Sequence, residues 1–160
     1  MTWVVLIAMT VAVVDQFTKW LVVRFLGDGE FRVVIDGFFN LVHWRNSGAA
    51  WGIFQDRNAI LAIISVVTIL VLFFFRHSFQ LQYKTSRIAL GLITGGIIGN
   101  FIDRVRFGYV VDFLDFFVGR HHWPAFNVAD SAICVGVVLY IFVSWRSESE
   151  SKPAQAVYNG

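Results

Sequence analysis

Long apolar runs broken by single charges constrain this chain more than any other feature. Four runs can be marked: Thr2 to Leu26, Ala59 to Phe75, Ile88 to Ile102 and Val128 to Trp145. A helix needs about 20 mostly apolar residues to cross the hydrocarbon core of a bilayer. Asp15 and Lys19 interrupt the first run and Asp130 the fourth. Because a charge facing lipid is expensive, these side chains are expected to face protein or a wet cavity. The second run carries no charge and is short for a span unless its helix extends to flanking residues that snorkel. The third contains Gly91, Gly95, Gly96 and Gly99, and the Gly95–Gly99 spacing lets helix backbones approach closely.

Composition agrees. Of 160 residues, 57% are hydrophobic and 15% charged, against about 45–50% and about 25% in soluble domains. The expected fold is an all-α integral membrane protein, with four transmembrane helices over residues 1–146 and a polar, disordered tail over 147–160. The first run lacks the basic start of a cleaved leader and reads as a retained helix. Arg76, Lys84 and Arg87 make the loop after the second run the cytoplasmic candidate, which places both termini in the cytoplasm. The loop Gly27 to Asn58 then lies outside. Within it, Phe31 to Trp44 mixes aromatic and β-branched residues around Asp36-Gly37, the signature of a hairpin and hence of a small β-rich extracytoplasmic cap. A net charge of +2, spread without a basic stripe, argues against nucleic-acid binding. The single cysteine, Cys134, forms no intrachain disulfide, and no His/Cys spacing suggests a metal site.

The remaining polar residues collect in patches at the outward ends of the spans: Asp15 with Lys19, Asn46 with Gly48, Asn100, Asp103 and Arg104 with Asp112, and Asn127 with Asp130. Costly groups that converge at one membrane boundary mark a site. Paired carboxylates suit hydrolysis: the ionised member takes a proton from water while the protonated member hydrogen-bonds the carbonyl under attack. Two close carboxylates do not readily both ionise, which itself drives that split. Asp112 and Asp130 flank the third connection, which can fold back to bring them together.

Five motifs then occur in order: Asp15-Gln16-Phe17-Thr18-Lys19, Asn46-Ser47-Gly48-Ala49-Ala50, Gly95 through Arg104, Gly108-Tyr109-Val110-Val111-Asp112-Phe113, and Pro124 through Ser131. With these the chain resembles the bacterial lipoprotein signal peptidases, or signal peptidase II, an aspartic peptidase family of the inner membrane. The resemblance implies that Asp112 and Asp130 are the catalytic pair. It implies cleavage of prolipoproteins on the N-terminal side of a diacylglyceryl-modified cysteine, near the extracytoplasmic face. Asn46, Gly48, Gly96, Asn100, Arg104, Asn127 and Ala129 would line the substrate site, with Asp15, Lys19 and Asp103 in support. The implied partners are lipid-modified prolipoproteins and membrane lipid, for a monomer that needs no metal or organic cofactor.

Plainer readings compete at several positions. Asp15 and Lys19, at i,i+4, can be an ion pair that only holds the first helix. Ser47 and His43 would suit a serine nucleophile and its base only if strand geometry turned them together. Asp115 reads as a solvated interface residue, His121 and His122 as interfacial, and Cys134 as core packing. The tryptophans fall near span ends as an aromatic belt, with Trp51 and Phe54 as candidates to clamp a lipidated peptide. The rival class is a small transporter or proton-conducting component, although a proton relay would spread its acids through the bilayer's depth.

Overall fold

The computed structural model describes residues 1–48 and 53–158, with side chains described through residue 146. Helix α1 (Thr2–Phe25) buries Val4, Ala8, Ala12, Asp15, Lys19 and Val22. These positions recur every three or four residues and form one stripe facing the protein. The opposite face exposes Trp3, Leu6, Met9, Val13, Phe17 and Trp20, as expected where the surrounding solvent is lipid. The two interrupting charges are therefore on the protein side, for the reason anticipated.

Helix α3 (Lys84–Phe107) is the hub, packing against α1, α2 (Asn58–Phe74) and α4 (Val128–Tyr158). Its glycines permit this. A Cβ on Gly95 would lie 2.6 Å from the Ala8 carbonyl oxygen of α1, and one on Gly99 would lie 2.6 Å from Asp15 Oδ2. α3 runs beyond the expected Ile102, so Asp103 and Arg104 belong to its last turns and not to the connection after it. It stops at Gly108, whose φ of 79° supplies the left-handed C-terminal residue.

Among the described residues, three helices are long and apolar enough to cross a membrane: α1, α3 and the Val128–Arg146 part of α4. α2 is shorter, with 17 residues. The backbone of α4 continues as helix to Tyr158, through the boundary expected at residue 147; the side chains of that segment and residues 159 and 160 lie outside the described residues.

The hairpin at Asp36-Gly37 forms as anticipated, joining β1 (Phe31–Ile35) to β2 (Phe39–Asn46), with Gly37 at φ 73°. The cap is larger than the hairpin, however, and an all-α description is incomplete. The connection after α3 supplies β3 (Val110–Val118) and β4 (His121–His122), completing an antiparallel sheet in the order β1-β2-β3-β4. Its register sets Asn46 opposite Val110, Trp44 opposite Asp112 and Asn40 opposite Asp115. Val111 and Phe113 from one face of β3 pack with Val22 of α1 and with Leu26 just past its end. The sheet is thereby fixed to the end of the bundle, and Asp112 is held at that end.

Candidate active site

Asn127 organises the site. It precedes α4, where its Oδ1 accepts from the Asp130 backbone N–H at 3.0 Å while Asp130 Oδ2 accepts from the Asn127 N–H at 3.2 Å. This reciprocal pair is a capping box, which satisfies N–H groups that a helix start leaves free. The Asn127 amide also donates to Asp112 Oδ1 at 2.8 Å. One residue therefore joins the carboxylate on β3 to the carboxylate on α4. The outer oxygens have their own donors: Asn46 Nδ2 gives Asp112 Oδ2 a 2.8 Å bond, and Asn100 Nδ2 gives Asp130 Oδ1 a 2.7 Å bond.

Burial pushes the Asp112 carboxyl up to about 7, and the nearby charge of Asp130 adds to the rise. The amides of Asn46 and Asn127, and the charge of Lys19, work against it. A carboxyl with that value holds and releases a proton near neutral pH, as acid–base chemistry requires.

Behind the pair lies a buried ionic cluster that joins two helices and touches a third. Lys19 Nζ is 2.8 Å from Asp15 Oδ2 and 2.9 Å from Asp103 Oδ2, and donates to Asn100 Oδ1 at 2.9 Å. Asp15 Oδ1 accepts from the Ala129 N–H at 2.9 Å, and Asp103 Oδ2 accepts from the Val111 N–H at 3.1 Å. The Asp15–Lys19 pair thus extends beyond α1, fixing both the start of α4 and the strand that carries Asp112. Gln16, which stands in the same motif but drew no role from the sequence, belongs to this cluster. Its amide donates to Asp103 Oδ1 at 2.7 Å and to the Gly99 carbonyl at 3.2 Å. The one signal it offers in the sequence is being a third polar residue in an apolar run.

The anticipated site residues divide into two groups. Asn46, Asn100, Asn127, Gly48 and Arg104 surround the carboxylates: the Gly48 N–H donates to Asn46 Oδ1 at 2.9 Å, and Arg104 Nη2 donates to the Gly48 carbonyl at 3.3 Å. Gly96 and Ala129 are instead buried where α3 meets α4, since a Cβ on Gly96 would strike the Ala129 carbonyl. Their position makes this a packing contact.

Other expectations are revised. Asp115 is buried, not solvated; it accepts from Asn40 Nδ2 at 3.1 Å and sits 2.8 Å from His122 Nδ1. Cys134 is exposed and lines the groove beside Asp130, so it is not core packing. Ser47 Oγ donates to Asp56, while His43 Nδ1 faces the Leu26 carbonyl, so the two do not form a nucleophile–base pair. Trp51 lies outside the described residues, and Phe54 is exposed. Among the described residues no three His, Cys, Asp or Glu side chains gather as metal ligands.

An open groove of about 840 Å³ reaches Asp130. Trp44, Asn46 and Gly48 line it from the β2 side, Trp123 to Phe126 from the segment after β4, and Ile133 and Cys134 from α4. An extended peptide can approach Asp130 along this groove.

Long apolar helices with two carboxylates brought together through Asn127 at one end of the bundle fit the class of membrane-embedded aspartic peptidases. The chain belongs to the signal peptidase (SPase) II family, whose model matches residues 7–146. It is 49% identical over 144 residues to the lipoprotein signal peptidase of Syntrophotalea carbinolica, covering 88% of this chain and 89% of that one. It is 46% identical over 134 residues to the lipoprotein signal peptidase of Bacillus pumilus, covering 84% and 86%. Two bacterial membrane enzymes solved by the in meso method have similar structures. One has a TM-score of 0.86 at 35% identity, covering 94% of this chain and 92% of that one. The other has a TM-score of 0.76 at 36% identity, covering 89% and 92%.

Proposed function

We propose that the chain removes signal peptides from prolipoproteins by hydrolysis on the N-terminal side of a diacylglyceryl-modified cysteine, with Asp112 and Asp130 as the catalytic pair. The observation that carries this reading is the link through Asn127, which holds the two carboxylates as one unit beside the groove. The scissile carbonyl sits between them. The ionised member takes a proton from the attacking water, and the protonated member donates to the carbonyl oxygen as a tetrahedral diol forms. The amides of Asn46 and Asn127 orient Asp112 throughout. Burial and the nearby charge of Asp130 raise Asp112 to about 7, which supports a pair that holds one proton between its members.

The enzyme works in the bacterial inner membrane with four spans. α2 supports the fourth span: its 17 residues reach about 26 Å at about 1.5 Å per residue, and apolar Phe75 beyond its end brings it closer to the hydrocarbon thickness of about 30 Å. Arg76 follows α2, and Lys84 and Arg87 stand in the first turn of α3, the end of that helix remote from Asn100 and Arg104, which supports cytoplasmic termini and an extracytoplasmic site, with residues 147–160 as a cytoplasmic tail. The diacyl chains of the substrate stay in lipid beside the helices. A monomer suffices, since both carboxylates and all the donors described around them come from one chain.

The test is incubation of purified protein with a diacylglyceryl-modified prolipoprotein. The expected product lacks the signal peptide and begins at the modified cysteine. An uncut substrate, or ion movement in liposomes without cleavage, overturns the reading in favour of the transporter class.

A further inference from the structure

Asp115 occupies β3 three residues beyond Asp112, and strand alternation puts it on the opposite face of the sheet. Its two oxygens bind two other strands: Oδ2 accepts from Asn40 of β2 at 3.1 Å, and Oδ1 meets His122 Nδ1 of β4 at 2.8 Å. Three strands are thus joined at one carboxylate. Its side-chain exposure is 2% against 45% for His122, so the bond runs from the sheet interior to its rim. A buried carboxylate is a poor way to gain stability, because an apolar side chain of similar size often does as well. What it adds is direction.

That direction matters because His122 leads into the site. β4 is only two residues long. From its end the chain forms the groove wall, Trp123 to Phe126, and then reaches Asn127, the residue that joins the two carboxylates of the pair. Backbone bonds hold the wall to β3 at Trp123 and Phe126, where Trp123 N–H donates to Phe116 and Phe126 N–H donates to Leu114. The His122 ring also stacks on Phe117 at 4.7 Å. The Asp115–His122 bond is the side-chain anchor at the start of this segment, and the α4 capping box is the anchor at its end.

We infer that Asp115 and His122 are positioning residues, a clamp that sets the wall Trp123 to Phe126 and, through it, the placement of Asn127 between Asp112 and Asp130. Neither touches the reacting atoms. The inference rests on the reading of Asp112 and Asp130 as the catalytic pair, and its effect is on turnover more than on binding. A displacement of about 1 Å in such a constellation can cost about a hundredfold in rate.

The experiment uses the purified full chain with a diacylglyceryl-modified prolipoprotein, and kinetics scaled to the folded fraction. His122→Ala is the first variant, since its half-exposed side chain can be removed without opening a core cavity. Its kcat should fall about tenfold or more while KM stays within about threefold. His122→Asn places an amide N–H near the position of Nδ1 and should restore kcat to within about threefold of wild type. Asp115→Ala, which also releases Asn40, should lower kcat at least as far as His122→Ala, and the double variant should be no worse than Asp115→Ala alone. A purely structural role would lower the amount of folded protein and leave kcat per folded molecule unchanged; that result overturns the clamp while the active wild type leaves the peptidase reading intact. An inactive wild type overturns both.

Discussion

Lys19 donates a 2.9 Å hydrogen bond to Asn100 Oδ1, and through that amide the buried ionic cluster touches the paired carboxylates. Asn100 turns its Nδ2 to Asp130 in the same geometry. A charge on α1 is thus two hydrogen bonds from Asp130 on α4, in one buried network.

Lys19→Met keeps the length of the side chain and removes its charge, leaving Asp15 and Asp103 buried without their cation. Breaking such a cluster costs about 3–5 kcal/mol. The expected result is a large fall in denaturation midpoint, partly recovered when Asp103→Asn is added. An unchanged midpoint in detergent would contradict the described cluster.

Gly99→Ala should also destabilise, by about 1–3 kcal/mol, because the new methyl would lie 2.6 Å from Asp15 Oδ2, a group that Lys19 and the Ala129 N–H hold in place. Thermal unfolding of the variant beside wild type measures this. Equal melting would show that α1 and α3 separate freely, against the packing seen.

Sequence patterns disclosed the parts of this arrangement that are local or periodic. Asp15 and Lys19 stand on the stripe that α1 buries, and a charge in an apolar run has few other places to go. The Asp36-Gly37 turn announced the β1–β2 hairpin. The chemistry of paired carboxylates and the order of the motifs point together to Asp112 and Asp130, which lie on either side of Asn127. The pairing of β2 with β3 was hidden, because it joins residues far apart in the chain. Asp115 therefore looked like a surface acid, since its partner Asn40 lies 75 residues away and only the sheet register sets the two opposite each other. Cys134 differs from expectation for a related reason: helical spacing sets it on the side of Asp130, and there the helix surface opens on the groove.

The proton on Asp112 gives two pH dependences. Its folded-state value, about 7 against an ordinary 3.8, means that ionising it costs folding free energy, so this group's contribution falls as pH rises from 3.8 to about 7 and is level above. Asp112→Asn lacks that penalty and should gain in melting temperature on wild type as pH rises over this window. A difference independent of pH would contradict the raised value. The proposed mechanism runs through the singly protonated pair, so kcat/KM should be bell-shaped with its alkaline limb near pH 7.

Lipid on the substrate should matter as much as peptide sequence. A prolipoprotein without the diacylglyceryl group loses apolar contact of about 0.8 kcal/mol per buried CH₂ and its fixed depth in the bilayer. It should be cut far more slowly at equal concentration in a competition assay. Equal rates would remove the lipid from recognition.

Single-turnover cleavage of a diacylglyceryl-modified prolipoprotein by purified Asp112→Asn and Asp130→Asn tests the central claim most directly. Each substitution preserves side-chain size and removes the proton that a water-activating pair exchanges. Circular dichroism should show wild-type helix content in both, because an amide keeps much of the hydrogen bonding to Asn46, Asn100 and Asn127. The cleavage rate of each should fall by about 10²–10⁴-fold or more. A folded variant of either kind that cleaves at near wild-type rate would contradict the assignment of Asp112 and Asp130 as the catalytic pair.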